Sequence, residues 1–351
     1  MNRRRFITTT SVAAAAFTLP AHAAKKETLN IYCWSEYIPQ SVIDAFSKQM
    51  KVKVTVENYA SNEEMMAKLQ AGSVKYDLIQ PSEYIIEELI KAGKLEELNA
   101  ANIPNTKNLD PKFTKMPHDP EGKYSVTWMA GNVGIVVNKN KIKDPIKGYN
   151  DVFQEKFKKR IVVLDDNREL VAWALASLGI GINEITQENL EKAKDVLAKW
   201  IPLVKQFDSD SPKTALLNGD VDLGIVWNGE GAKILEEVKK SKKRKLDFEY
   251  VLPAEGAHMF IDSLAIPKGA KNKESAEKFI NFILEPKVSV EVWEEFPYTL
   301  VNAEGMKLLK PDQKANSASF PPGDPKLETF KMISGDMSVA IDKLVTDLKN
   351  K

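Results

Sequence analysis

Cysteine is all but missing from this chain. Cys33 is the single one in 351 residues, so no intramolecular disulfide can brace the fold and a packed core must do so. Histidine is almost as scarce, at three. His22 falls in the N-terminal segment, and His118 and His258 stand far apart, which argues against a zinc site. Charge of one sign is lacking too: the formal net charge is +1, which provides no global field for nucleic acid. No apolar run reaches the ~20 residues of a membrane-spanning helix. Also absent are a Walker sequence, a Gly-rich dinucleotide fingerprint after a strand, a His-Glu-x-x-His pair and a nucleophile elbow. Most enzyme and cofactor signatures are thereby removed, and neither a cofactor nor a metal is expected.

What is present begins with a leader. "MNRRRFITTTSVAAAAFTLPAHA" has a basic start, a mildly apolar middle over residues 6–19 and a small-x-small end at Ala21-His22-Ala23. Those are the parts of an export signal, with cleavage expected after Ala23 (residues 1–23). "RRRFI" fits the twin-arginine route as well as the general one. Cys33 lies ten residues past that cleavage point, the wrong place for a lipid anchor. The expected product is free in the periplasm, and loss of Arg3, Arg4 and Arg5 moves its net charge from +1 to −2. The run "KKSKKRK" at 239–245 is locally basic and reads as a solvated loop or a docking patch.

With 43% hydrophobic and 28% charged residues, the rest of the chain is enough for two lobes. "TLNIYCW" reads as a strand, and Pro39 opens a helix with Val42, Ile43, Phe46 and Met50 on one face. "KVKVTVENY" alternates as a strand with Val52, Val54 and Val56 on one side. Ser61 and Glu64 form a capping box before a helix closed by Gly72. "YDLIQ" and the helix "PSEYIIEELIKAG" follow. This alternation predicts a parallel, doubly wound sheet. The pattern restarts with "RIVVLDD", "NRELVAWALASLG", "VDLGIVW", "GEGAKILEEVKK", "MFIDSLAIP" and "NKESAEKFINFIL". Two extended passages, near 126–138 and 251–260, join the units. The expectation is a clam-shell: residues 27–131 with 259–308 in one lobe, 132–258 with 309–351 in the other, and a ligand cleft between them.

Aromatics and carboxylates gather at strand ends. Trp34, Glu36 and Tyr37 follow the first strand, and Ser82 and Tyr84 follow the third. Asp165, Asp166 and Glu169 follow the first strand of the second unit. Trp227 ends "DLGIVW", Phe260 and Asp262 lie in "MFIDS", and Tyr298 lies in "FPYTL". Plainer roles exist for several. Asp166 and Glu169 are spaced as a capping box, Trp227 suits a core, and Ser82 is placed as an N-cap. Asp262 is harder to explain by packing, because a buried carboxylate is costly unless paired and "HMFIDSLAIP" contains no Arg or Lys. As a set the residues suit a cation with apolar stems: carboxylates and ring faces for ammonium groups, flat walls for methylenes.

In this order "IYCWSEYIP", "YASNEEMMAKLQAG", "YDLIQPSEY", "NLDPKF", "VVLDDNREL", "LLNGDVDLGIVWNG", "DSLAIPKGAKNKE" and "INFILEPKV" resemble the periplasmic spermidine/putrescine-binding proteins of polyamine ABC importers. The resemblance runs over nearly the whole chain after the leader. It implies an α/β fold of the type II periplasmic binding protein class, a monomer, and an inner-membrane ABC permease as partner. It places ligand contacts at Trp34, Ser35, Glu36, Tyr37, Ser82, Tyr84, Asp166, Glu169, Trp227, Phe260, Asp262 and Tyr298. Trp34, Tyr37, Trp227, Phe260 and Tyr298 would wall the methylene chain. Glu36, Asp166, Glu169 and Asp262 would take the ammonium groups, with Asp262 as the principal anchor. Phe260 stands where spermidine-preferring members tend to carry Trp, and a late Gln of some spermidine binders has no match in "SGDMSVAI". Trp227 and the Asp166/Glu169 pair point the other way, so the lean is to spermidine or dual use. Other readings of the same residues are an exported glycoside hydrolase with paired carboxylates, or this fold with another cationic ligand. A cationic amino acid would need an Arg for its carboxylate, which only "DDNRE" offers.

Overall fold

The computed structural model describes residues 27–59, 61–71, 75–241 and 245–351. The leader, its cleavage point, Gly72 and residues 242–244 of the basic run lie outside the described residues. Among the described residues ten strands occur in chain order: β1 (Thr28–Trp34), β2 (Lys53–Tyr59), β3 (Leu78–Ile79), β4 (Ser125–Asn138), β5 (Ile161–Val163), β6 (Val204–Phe207), β7 (Leu223–Trp227), β8 (Phe248–Val251), β9 (Ala257–Ala265) and β10 (Leu327–Glu328). They join in the order β2-β1-β3-β9-β4-β7-β5-β6, with β8 beside β4 and β10 beside β9.

The outer parts of this arrangement are parallel, as the alternation of strands and helices predicts. β1 pairs with β2 and β3 in parallel, and β5 does so with β6 and β7. The middle differs. β9 runs antiparallel to β3 and β4, and β4 runs antiparallel to β7 and β8. The physical reason is connectivity. A parallel neighbour needs a crossover helix between the strands, and β4 and β9 instead carry the chain between the two halves as long extended segments.

β4 does this with fourteen residues, every one buried. Residues from Ser125 to Asn132 pair with β9, and those from Val133 onward pair with β7 and β8. The pairing partner changes between Asn132 and Val133. On one side the core is built from Leu29, Ile31, Phe46, Phe279 and Ile280. On the other it is built from Val133, Ile161, Leu170, Trp173 and Leu197. Each such buried side chain contributes about 1.5–3 kcal/mol of burial free energy, so each half has a core of its own. The helix Gly335–Lys349 adds Ile341, Val345 and Leu348 to the second core. Its N-cap is Ser334, whose hydroxyl accepts from Met337 N.

Candidate functional site

Residues following β1 and β5, at the end of β7 and in the middle of β9 come together near the start of the helix Glu83–Lys91, where the two halves meet. Asp262 on β9 is the centre of this group, 2% exposed. The Tyr37 hydroxyl donates to Asp262 Oδ2 at 2.8 Å, and the Ser82 hydroxyl donates to Oδ1 at 2.8 Å. Both partners are neutral, and among the described residues no lysine or arginine pairs with this carboxylate. Burial pushes its pKa up to about 7, against the pull of the two hydroxyls. Burial, helped by the charge of Asp262, in turn keeps Tyr37 from ionising, so it stays a donor.

Ser82 occupies the N-cap position of the helix Glu83–Lys91 as expected, but its side chain makes no cap bond. Its hydroxyl is committed to Asp262 instead. Asn62 holds this corner: its side-chain amide donates to Ser82 Oγ at 3.2 Å and to the Tyr84 hydroxyl at 2.8 Å.

Four of the five expected rings, Tyr37, Tyr298, Phe260 and Trp227, form a chain of contacts. Tyr298 lies 5.1 Å from Tyr37 and 5.8 Å from Phe260, centroid to centroid. Trp227 meets Phe260 edge-on at 5.5 Å, which brings a ring from β7 against one from β9. Trp34 leans on Tyr59 at 4.6 Å, and its indole N–H is buried without a partner. Two glycines make room. A Cβ at Gly131 would stand 2.1 Å from Phe260 Cζ, and one at Gly229 would stand 2.7 Å from the Tyr298 ring.

Asp166 caps the helix Asn167–Ser177, its Oδ1 accepting from Glu169 N at 3.0 Å. Only half of a capping box forms, because the Glu169 side chain turns elsewhere. Burial and the nearby charge of Glu169 push the Asp166 carboxyl up to about 6.

Two expected anchors are otherwise engaged. Glu169 is fully buried, and its Oε1 lies 2.5 Å from His258 Nδ1 while Oε2 accepts from Trp173 Nε1 at 3.0 Å. Glu36, at φ 53°, is exposed beside exposed Ser35, and pairs at 3.3 Å with Lys233 from the opposite half. Tyr84 carries the Arg168 guanidinium over its ring, 5.0 Å from the centroid.

His258, Glu83, Arg168 and Asn62 were not among the sequence-derived candidates. A signal existed for His258: in a strand residues two apart share a face, so His258, Phe260 and Asp262 all look into the cleft from β9. Glu83 accepts from Ile261 N at 3.0 Å and Phe330 N at 3.2 Å. Among the described residues no cluster of His, Cys, Asp and Glu is arranged to hold a metal ion.

Residues 41–315 match the bacterial extracellular solute-binding protein family. The chain is 37% identical over 316 residues to the spermidine/putrescine-binding periplasmic protein of Salmonella typhimurium, covering 88% of each. It is 31% identical over 334 residues to the putrescine-binding periplasmic protein PotF of Escherichia coli, covering 91% of this chain and 90% of that one. Among solved structures it is similar to the spermidine/putrescine ABC transporter substrate-binding protein PotD of Streptococcus pneumoniae. The TM-score there is 0.78 at 28% identity, over 92% of this chain and 99% of the other.

Proposed function

The chain belongs to the bacterial extracellular solute-binding protein family, with its two-lobed α/β fold, and from that premise we propose that it is a periplasmic receptor that captures a protonated aliphatic polyamine and delivers it to an ABC permease. The observation that carries the reading is Asp262. A carboxylate buried to 2% exposure, held by two neutral hydroxyls and ringed by Tyr37, Phe260 and Tyr298, has no Lys or Arg partner among the described residues. An uncompensated buried charge is expensive, and an ammonium group with a methylene stem supplies what is missing. The ammonium gains the charge and ring faces, and each methylene gains about 0.8 kcal/mol on burial.

Ligand contacts come from both halves: Trp34, Tyr37, Ser82, Tyr84, Phe260, Asp262 and Tyr298 from the first, Asp166 and Trp227 from the second. A ligand touching both favours the closed form by its differential affinity for it. In this reading the protein works as an exported monomer without a lipid anchor, and binds without turning over.

A thermal-shift panel of putrescine, cadaverine, spermidine, spermine and lysine tests it, since a ligand specific to the native state raises Tm. At least one polyamine, and not lysine, is expected to raise Tm and to titrate one to one. Release of product from a glycoside, or no shift with any polyamine, overturns the reading.

A further inference from the structure

His258 is the one histidine in the cleft, and it is buried to 5% exposure. Its Nδ1 lies 2.5 Å from Glu169 Oε1, and its ring stacks on Phe330 at 3.7 Å. Its Nε2 is buried without a hydrogen-bond partner and stands 3.9 Å from Glu83 Oε1. Two carboxylates on two different helices thus flank one imidazole. Burial alone would strip its proton; the charge and hydrogen bond of Glu169, with the charge of Glu83 beside them, outweigh it and raise its pKa to about 9.

We propose that His258 is a resident cation that occupies Glu169 from within the chain, so that the slot recognises an aliphatic diamine in preference to a triamine. This rests on the polyamine reading above and names the ligand class of the same site.

The charges of the cleft carry the argument. Four acids cluster here: Glu83, Glu169 and Asp262, which are buried, and Asp166, which is half-buried. Two cations are built in. His258 lies between Glu169 and Glu83. Arg168 is held by the rings of Tyr84 and Phe330 and by the Lys331 carbonyl, and it interacts with Asp166, Glu83 and Glu169. Glu63 also acts on Asp166, from an exposed position on the rim. Four acids against two built-in cations leave a net of two negative charges, the complement of a diamine. Asp262 on β9 and Asp166 after β5 lie in opposite halves and have their pKa raised chiefly by burial. A third ammonium would meet at Glu169 an oxygen already bonded to an imidazolium, and a like charge behind it. Specificity of this kind comes from repulsion of the wrong ligand as much as from attraction of the right one. On this proposal the diamine is preferred, against the lean to spermidine or dual use drawn from the sequence.

Calorimetric titration at pH 7.5 with 1,4-diaminobutane and with spermidine is the test, on the native chain and on His258→Leu. The native protein is expected to bind the diamine at least tenfold more tightly. In His258→Leu, with Glu169 released, the ratio is expected to move at least tenfold toward spermidine. If the native protein binds neither amine, the polyamine reading itself falls. If it binds both and prefers spermidine, or the ratio is unchanged in the variant, only the diamine inference falls. Should His258→Leu fail to fold, 15N-histidine NMR of the native protein decides. A protonated His258 ring at pH 7.5 with diamine bound supports the inference, and a neutral ring there overturns it.

Discussion

At the scale of single residues, the molecule places its strongest demand on Asp262. Its two oxygens are satisfied by Tyr37 and Ser82, yet its charge is not. Asp262→Asn keeps the size and loses the charge, so polyamine binding is expected to weaken at least tenfold, about 1.4 kcal/mol. Unchanged affinity by calorimetry would remove Asp262 from the site. Gly131 makes the complementary prediction from sterics. An added methyl would stand 2.4 Å from Asn228 Oδ1 as well as 2.1 Å from Phe260 Cζ. Overpacking of this kind costs roughly 1–3 kcal/mol, and Phe260, pinned between Trp227 and Tyr298, has nowhere to retreat. Gly131→Ala is expected to lower both stability in urea and polyamine affinity. A variant that loses neither would mean that the ring moves freely.

At the scale of elements, two of the helices that begin with serine use it differently. Ser61 Oγ accepts from Glu64 N at 3.1 Å and caps the helix Asn62–Gln70. Ser82 stands at the same kind of position and caps nothing. Ser61→Ala is expected to cost about 1 kcal/mol of stability and to leave binding almost unchanged. Ser82→Ala is expected to do the reverse: a small change in stability and a several-fold loss of affinity. Paired urea melts and titrations separate them, and equal effects in both assays would refute the distinction. Strand ends and capped helices of this type were readable from local pattern, since hydrophobic period and cap chemistry act over a few residues. β4 and β9 were readable as extended segments but not as antiparallel neighbours, because their pairing joins residues more than a hundred positions apart.

At the scale of the whole molecule, the buried ionisable groups make stability fall as pH rises. Stability drops with pH wherever the native state holds more protons than the unfolded chain. Asp262 does so between its ordinary 3.8 and about 7, and Asp166 between 3.8 and about 6. His258, raised from 6.5 to about 9, contributes stability that is complete below 6.5 and lost as pH climbs through 9. His118, whose burial lowers its pKa, acts in the opposite sense below 6.5, so the clean window is pH 7 to 9. Urea melts of the ligand-free protein are expected to show falling stability across it, and His258→Leu to flatten the slope. A native protein as stable at pH 9 as at pH 7 would contradict this assignment. The partly exposed Glu36–Lys233 pair across the halves adds little to closure, since such pairs are worth about 0–1 kcal/mol.

Local pattern by itself determined the α/β elements, the caps at Ser61 and Asp166, and a set of rings and acids at strand ends. It did so because period, cap chemistry and the cost of burying Asp262 without a basic neighbour are short-range matters. Tertiary structure alone decided who satisfies whom. Tyr37 reaches Asp262 across 225 positions and Ser82 reaches it across 180. His258 takes Glu169 across 89. Electrostatic compensation depends on distance in space, not along the chain, and here it determines which acids find a partner within the chain.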